Sequence, residues 1–246
     1  QGRRRPPRGT AGAWPLQVVT QCPAMGTLYL VRHGQASFGA ANYDQLSELG
    51  WRQSRRLGEH FLQQGRRFDA IMTGTLQRHA QTLEGIQQGL GTTQPSTQLP
   101  GLNEYDSEAL IRAIHPAPLP KPDTPELYRH HFRLLREALQ QWMDGKSSPE
   151  GMPSYTQFRQ GVVDAIDKAL AHHQGEVLLV SSGGPISTAV GHVLGTTAGT
   201  TIELNFHIRN SAVSEFKLTP KGHRLISYNT LSHLDAPQYR DWVTFA

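Results

Sequence analysis

The sequence predicts a three-layer α/β/α sandwich in which a mostly parallel central sheet carries helices on both faces. Segments with strand and helix patterns alternate along most of the 246 residues, a length that is ordinary for one large α/β domain. The run EVLLVS at 176–181 is almost wholly apolar, which is typical of a strand covered on both faces. In such sheets ligands gather at the carboxyl ends of the strands, so functional side chains are expected there.

Short apolar runs and helix-periodic segments alternate in the first half of the chain. The helices are predicted from apolar side chains at helical spacing, a serine cap and terminal glycines. The segment 100–123 is rich in proline and is expected to be loop with a short helix. The other predicted elements are a strand TLYLVR at 27–32, a helix from Ser47 to about Gln64, a strand DAIMT at 69–73, a helix at about 76–90 that stops at Gly91 and a short strand at 97–99.

The second half begins with a clear helix start, because Pro125 in the first turn has no amide hydrogen to leave unpaired. We expect this helix and the next to pack on one face of the sheet, and part of 105–125 to form a lid over a pocket. The predicted elements are helices at 124–143 and 154–174, a strand at 176–181, a helix GPISTAVGHVLG that ends near Gly195, and a hairpin of SAVSEFKL, the turn TPKG and HRLISYN.

The formal net charge of +4 comes from the start of the chain. Arg3, Arg4, Arg5 and Arg8 are the only charged side chains before Met25, and without them the 24 basic residues fall to 20, equal to the 20 acidic ones. We therefore expect no nucleic-acid-binding face. Residues 1–24 are predicted to be a disordered basic extension, or translated sequence upstream of a start at Met25, and 25–246 to be a single domain.

Several kinds of site are not expected. The single cysteine, Cys22, cannot build a disulfide framework or a four-thiolate metal centre, and it fits a cytoplasmic location. The pairs His130-His131 and His172-His173 lack carboxylates or thiolates at ligand spacing, so we predict no metal and no cofactor. No apolar run approaches the length that crosses a bilayer, and we expect no membrane partner.

Four predicted strand ends carry chemically active groups. Arg32 and His33 end the first strand, Arg78 follows the second just inside a helix, and Glu104 follows the third in GLNEYD. The fourth strand leads into Ser182, then glycines, at a helix start. Because the carboxyl ends of parallel strands meet at one edge of a sheet, we expect these groups to converge.

The converging groups suit phosphoryl transfer. Two guanidinium groups and a helix N-terminus suit a tetrahedral dianion such as phosphate. An imidazole between them can attack phosphorus and form a phosphohistidine, and a carboxyl group with a raised pKa can protonate the leaving oxygen. The structural alternatives are that Arg78 is a helix-surface cation, that Glu104 only pairs with an arginine, and that Ser182 caps the helix.

The motifs VRHGQ, TLQRHAQT, LNE and VSSGGPI, in this order, resemble those of the histidine phosphatase superfamily, also called phosphoglycerate-mutase-like. The likeness spans residue 27 to about residue 233 and implies the fold of that family, with 25–246 as its catalytic domain. It also implies that His33 is the nucleophile and that Glu104 is the proton donor and then the base that activates water. Arg32 and Arg78 are expected to be catalytic as well, because they would hold the phosphoryl group. The predicted substrate-binding residues are Arg32, Arg78, Ser182, Gly183, Gln35 and Ser37.

The sequence departs from the family pattern at several positions. The fourth motif of the family usually carries a second histidine that hydrogen-bonds the phosphoryl group, and Ser182 stands at that position here. A hydroxyl donates a hydrogen bond but brings no positive charge, so we expect a loss on the order of 10- to 100-fold in rate. Arg78 is followed by His79 rather than the usual small residue, and the long segment of true phosphoglycerate mutases after LNE is not recognisable.

Three functions remain open at this point. The leading one is a phosphoric monoester hydrolase of the histidine acid phosphatase type, which acts on a small phosphorylated metabolite as a monomer or homodimer. The second is an attenuated or inactive relative that binds a phosphorylated ligand and regulates, because Ser182 replaces a family histidine. The third is a phosphoglycerate mutase-type phosphomutase, in which the phosphoenzyme would have to outlive attack by water.

Overall fold

The fold is built from six strands, seven α-helices and three short 3-10 segments among the residues that the structure describes. The computed structural model describes residues 26–37, 44–120, 123–171, 175–219 and 222–245. The strands are β1 (Thr27–Arg32), β2 (Ala70–Thr73), β3 (Thr97–Gln98), β4 (Glu176–Ser181), β5 (Val213–Thr219) and β6 (Gly222–Thr230). The helices are α1 (Glu48–Gln63), α2 (Gln77–Leu90), α3 (Ser107–Ile114), α4 (Pro125–Met143), α5 (Tyr155–Ala171), α6 (Gly183–Leu194) and α7 (Ala198–His207), and the 3-10 segments are Pro100–Leu102, Ser232–Leu234 and Pro237–Trp242.

The six strands form one mixed sheet in the order β3-β2-β4-β1-β5-β6. The pairs β3-β2, β2-β4 and β4-β1 are parallel, whereas β5 runs antiparallel to both β1 and β6. The predicted mostly parallel sheet and the C-terminal hairpin are therefore confirmed, and the middle of the predicted turn, 220–221, lies outside the described residues. The prediction for residues 1–24 also lies outside them.

Helices cover both faces of the sheet, which confirms the predicted sandwich. On one face, Leu57 of α1 and Ile86 of α2 pack against side chains such as Val180. On the other face, Val162 of α5 and Ile186 of α6 pack against β1, β2 and β4. The two central strands are buried on both faces, since residues 28–32 of β1 and 177–181 of β4 are all buried. This explains the apolar composition of EVLLVS.

A third hydrophobic cluster lies beside the sheet core and joins α3, α4 and α7. Trp142 and Leu139 of α4 pack there with Leu110 of α3 and Ile202 of α7. The prediction that both long helices pack on the sheet is therefore wrong for α4, because its buried face meets other helices. The prediction is right for α5. Within the described part of the chain, no helix is both long and apolar enough to span a membrane.

Helices α1 and α2 approach each other at backbone contact. A Cβ atom on Gly58 of α1 would collide with the carbonyl oxygen of Ile86, and one on Gly89 of α2 would collide with the carbonyl oxygen of Arg55. Glycine is needed at both positions because no side chain fits between the helices. We call this contact the glycine seam. It fixes α2, which carries Arg78 at its start, against α1.

Candidate active site

The parallel register brings the predicted strand ends to one level. Arg32 at the end of β1 pairs with Ser181 at the end of β4, and the amide of His33 donates to the carbonyl oxygen of Ser181 at 2.9 Å. The amide of Gly74, which follows β2, donates to the carbonyl oxygen of Val180 at 3.1 Å. Residues that follow β1, β2 and β4 therefore lie side by side at one edge of the sheet.

His33 presents a neutral imidazole with a defined tautomer. The ring is 4% exposed, and its Nδ1 lies 2.7 Å from the carbonyl oxygen of Gly34. A carbonyl oxygen only accepts, so Nδ1 carries the hydrogen and Nε2 keeps its lone pair. Burial, followed by the positive charges of Arg32 and Arg78, holds the pKa of His33 well below its usual range. The ring is therefore held neutral, with a free lone pair on Nε2.

The two predicted arginines act on the same site. Arg32 donates from Nη1 to the carbonyl oxygen of Ile208 at 2.5 Å, and Arg78 donates from Nη1 to Oδ1 of Asp44 at 2.7 Å. Both arginines are buried, at 4% and 8% exposure. Both lower the pKa of His33, and both oppose the rise in the pKa of Glu104. Arg78 is thus buried close to His33 and Glu104 and is not an exposed helix-surface cation.

Glu104 occupies the N-terminus of α6. Its carboxyl oxygens accept from the amide of Gly184 at 3.1 and 3.2 Å and from the amide of Tyr105 at 3.2 Å. Burial raises the pKa of Glu104, and the charge of Arg78 only partly opposes that effect. A carboxyl group with a raised pKa is suited to hold a proton and deliver it. The amide of Gly184, at the helix N-terminus that was expected to suit a phosphate, donates to this carboxyl group.

Similarity to known proteins identifies the family of this chain. Residues 28–231 match the model of the histidine phosphatase superfamily (branch 1). The chain belongs to the histidine phosphatase superfamily. No curated protein matches the chain.

Several solved structures share the fold of this chain at low sequence identity. A phosphoserine phosphatase from Entamoeba histolytica in complex with 3-phosphoglyceric acid is 18% identical, with a TM-score of 0.60 over 85% of this chain and 100% of that one. A phosphoglycerate mutase from Bacillus anthracis is 18% identical, with a TM-score of 0.60 over 85% and 95%. A mycobacterial glucosyl-3-phosphoglycerate phosphatase is 19% identical, with a TM-score of 0.59 over 83% and 98%.

The remaining predicted site residues of this superfamily member differ in where they point. Ser182 is fully buried and stands at the N-cap of α6, but its side chain makes no capping hydrogen bond. Oε1 of Gln35 accepts from Oγ of Ser47 at 2.8 Å, so this side chain reaches the start of α1. The amide of Ser37 donates to the carbonyl oxygen of Gln45 at 2.8 Å. Substrate contacts by these residues and by Gly183 stay predictions.

Two residues of the site were not predicted. Asp44 pairs with Arg78 and also accepts from the amide of Gln77 at 2.9 Å, so it ties the start of α2 to the segment after β1. His79 was noted only as a departure from the family pattern, yet it is fully buried beside Ser182. No local signal marks Asp44, whereas a histidine next to a predicted phosphate-binding arginine could have drawn attention to His79. Among the described residues, no group of three or more histidine, cysteine or acidic side chains is placed to hold a metal ion.

Replacing Gly34 with alanine is expected to destabilise the fold. A Cβ there would lie 2.5 Å from the carbonyl oxygen of Gly50 and 2.9 Å from Oγ of Ser54. Overpacking of this kind costs about 1–3 kcal/mol. The free energy of unfolding in urea measures the effect. Gly161→Ala is the matched control, because its Cβ would meet only the Cα of Gly101, at 3.7 Å. An equal effect of the two substitutions would contradict the close approach at Gly34.

Acid is expected to destabilise the protein below about pH 6.5. Burial lowers the pKa of His33, and it lowers the pKa of His79 and of His233 to about 3. The unfolded chain therefore binds more protons than the folded chain below about pH 6.5, where each such histidine contributes a slope of about 1.4 kcal/mol per pH unit. Glu104, with its raised pKa, acts in the opposite direction, but it is outnumbered by the histidines whose pKa is lowered.

The measurement is the free energy of unfolding in urea at about pH 7 and about pH 5. We expect the free energy of unfolding to decrease as the pH is lowered. The decrease should be smaller in His233→Asn, because this substitution removes one of the buried imidazoles. His192→Ala is the control, since His192 is exposed on α6. An identical slope for wild type and His233→Asn would show that His233 titrates normally in the folded protein.

Proposed function

We propose that this superfamily member is a phosphatase that hydrolyses a small phosphomonoester through a phosphohistidine at His33. One observation carries the proposal: His33 is a buried, neutral imidazole whose Nδ1 hydrogen is committed to the carbonyl oxygen of Gly34. The free lone pair is therefore on Nε2, and the charges of Arg32 and Arg78 act on the same ring. An imidazole held in this way is suited to attack a phosphorus atom whose oxygens are bound by guanidinium groups.

In the first step, Nε2 of His33 forms a bond to phosphorus while the bond from phosphorus to the ester oxygen breaks. The leaving oxygen takes the proton of Glu104, which the raised pKa of that group keeps available. The products of this step are a free alcohol, phosphorylated His33 and the carboxylate of Glu104. Arg32 and Arg78 neutralise the charge on the three oxygens that do not react.

In the second step, the carboxylate of Glu104 takes a proton from water, and the water oxygen attacks phosphorus. The bond to Nε2 breaks, inorganic phosphate leaves, and His33 and Glu104 return to their starting forms. No net proton or electron is left over. Two easier phosphoryl-transfer steps replace one difficult direct attack of water on the ester, which is the benefit of a covalent intermediate.

The substrate class is proposed from what similar structures contain. The Entamoeba histolytica phosphoserine phosphatase is bound to 3-phosphoglyceric acid, and the mycobacterial relative is a glucosyl-3-phosphoglycerate phosphatase. Both names contain a small phosphorylated acid or a derivative of one. Phosphoserine and 3-phosphoglycerate are therefore the first metabolites to test, beside the unspecific ester 4-nitrophenyl phosphate.

The experiment is a phosphate-release assay on these three compounds, combined with trapping of the phosphoenzyme in alkali, where phosphohistidine survives. Release of inorganic phosphate with a trapped intermediate supports the phosphatase. Isomerised phosphoglycerate without free phosphate would identify a phosphomutase. Tight binding of the metabolites with no turnover of any compound would mark an inactive relative. Either of the last two results would overturn the proposal.

A further inference from the structure

A second buried imidazole lies in the site without a role in the chemistry described so far. His79 of α2 is 0% exposed, and its ring centre is 5.9 Å from that of His33. Its Nε2 lies 2.7 Å from Oγ of Ser182, whose position in the chain is 103 residues away. Its Nδ1 is buried and has no hydrogen-bond partner among the described residues. A buried polar ring with one unsatisfied nitrogen is costly and calls for an explanation.

The protonation state of His79 follows from its surroundings. Burial, with a further contribution from Arg78, lowers the pKa of His79 to about 3, so the ring is neutral and carries one hydrogen. On Nδ1 that hydrogen would be a buried donor with no acceptor, whereas on Nε2 it is donated to Ser182. Buried N–H groups without an acceptor are rarer than buried acceptors without a donor. We therefore assign the hydrogen to Nε2.

This tautomer determines what the hydroxyl of Ser182 can do. Oγ accepts from His79, so the hydroxyl hydrogen has to point elsewhere. It does not cap α6, since the side chain makes no capping hydrogen bond there. Ser182 directly follows Ser181, whose carbonyl oxygen accepts from the amide of His33. A phosphoryl group on His33 would thus lie within the surroundings of this hydroxyl.

We propose that His79 is a positioning residue, which holds the hydroxyl of Ser182 as a hydrogen-bond donor to the phosphoryl group. The inference rests on the proposed function, because the group to be bound is the one transferred to His33. A hydroxyl that accepts from one partner becomes a stronger donor to the next. The differences from the family pattern at positions 79 and 182 are then linked. Helix α2 supplies, at position 79, the imidazole that the family usually carries after β4.

A double-mutant cycle tests whether His79 acts through Ser182. We expect His79→Ala and Ser182→Ala each to lower kcat/KM for phosphate release about 10- to 100-fold, the range for a lost hydrogen bond to a charged group. They should weaken binding of orthovanadate, a mimic of the transferred phosphoryl group, by a similar factor. The double variant should be within about twofold of Ser182→Ala, because the two residues act as one unit. Losses that multiply would overturn the proposal.

The orthovanadate measurement separates this inference from the proposed function. A wild-type protein that binds orthovanadate but releases no phosphate would contradict the proposed phosphatase activity. The double-mutant cycle would then be evaluated from the orthovanadate affinities of the four proteins. A wild-type protein that turns over, with multiplying losses in the cycle, would defeat only the role of His79. His192→Ala, on the exposed surface of α6, is the matched histidine control and should change neither measurement.

Two further measurements keep the inference testable if His79→Ala does not fold. The ¹⁵N shifts of the histidine rings in the wild-type protein report the tautomer, and hydrogen on Nδ1 of His79 would overturn the assignment. Ser182→His should lower the rate, because the substitution removes the hydroxyl that lies 2.7 Å from His79 and brings a bulky ring against it. A higher rate in Ser182→His would show instead that the native site is attenuated.

Discussion

Replacing His33 with alanine is expected to lower phosphate release by about 10⁴-fold or more, because the variant loses the atom that forms the bond to phosphorus. This corresponds to about 5 kcal/mol or more in the activation free energy. The substitution should also remove the alkali-stable phosphoenzyme completely. The measurements are kcat/KM for 4-nitrophenyl phosphate and the amount of trapped phosphohistidine after a short incubation with substrate.

Folding and chemistry can be separated in this experiment. His33 is buried, so the free energy of unfolding of the variant is measured beside its activity. His192→Ala removes a histidine from the surface of α6 and should keep full turnover and full labelling. A folded His33→Ala variant that retains turnover would place the nucleophile elsewhere, and water activated by Glu104 would become the next candidate.

Glu104→Gln is expected to lower the steady-state rate about 10²- to 10⁴-fold with esters of alkyl alcohols, because the alcohol then has no acid to protonate it. The amide oxygen of glutamine can still accept from Gly184, so the local structure should persist. With 4-nitrophenyl phosphate, whose leaving group needs no proton, we expect a burst of nitrophenol followed by slow turnover. The slow phase reflects the loss of the base that activates water.

The burst distinguishes the proposed role from a purely structural one. A structural defect would slow both steps and both esters alike, and no burst would appear. Glu108→Gln is the matched control, because this side chain on α3 is 84% exposed and should leave both esters unaffected. In the wild type, where the acid form of Glu104 is needed, the first step should slow as the pH rises through its raised pKa.

The strand ends could be predicted because each carries its own local signal. The apolar strands TLYLVR and AIMT end at Arg32 and five residues before Arg78. Helix α7 was missed because Gly199, Thr200 and Thr201 have low helix propensity. Its stability comes from a capping Thr197 and from contacts of Ile202 with the third cluster, and a distant partner leaves no mark on local periodicity.

The polar contacts of the site were harder to predict than its residues. The bond between His79 and Ser182 joins positions 103 residues apart, and that between Arg78 and Asp44 joins positions 34 apart. Such pairs depend on strand register and helix placement, which the sequence pattern leaves undefined to within a few residues. The placement of α4 was wrong for the same reason: its apolar face is visible, but the identity of the surface that it covers is not.

The glycine seam between α1 and α2 has a kinetic consequence. Where main chains touch directly, no side chain can change its rotamer to let one helix slip past the other. Gly34 also packs closely against the backbone of α1. The imidazole of His33 and the guanidinium of Arg78 are therefore attached to backbone segments that hold a fixed position relative to each other. With their separation fixed before a ligand arrives, little rearrangement is left for the bond-breaking steps. The rate-limiting step of the catalytic cycle should then be substrate entry or product release, as in many enzymes.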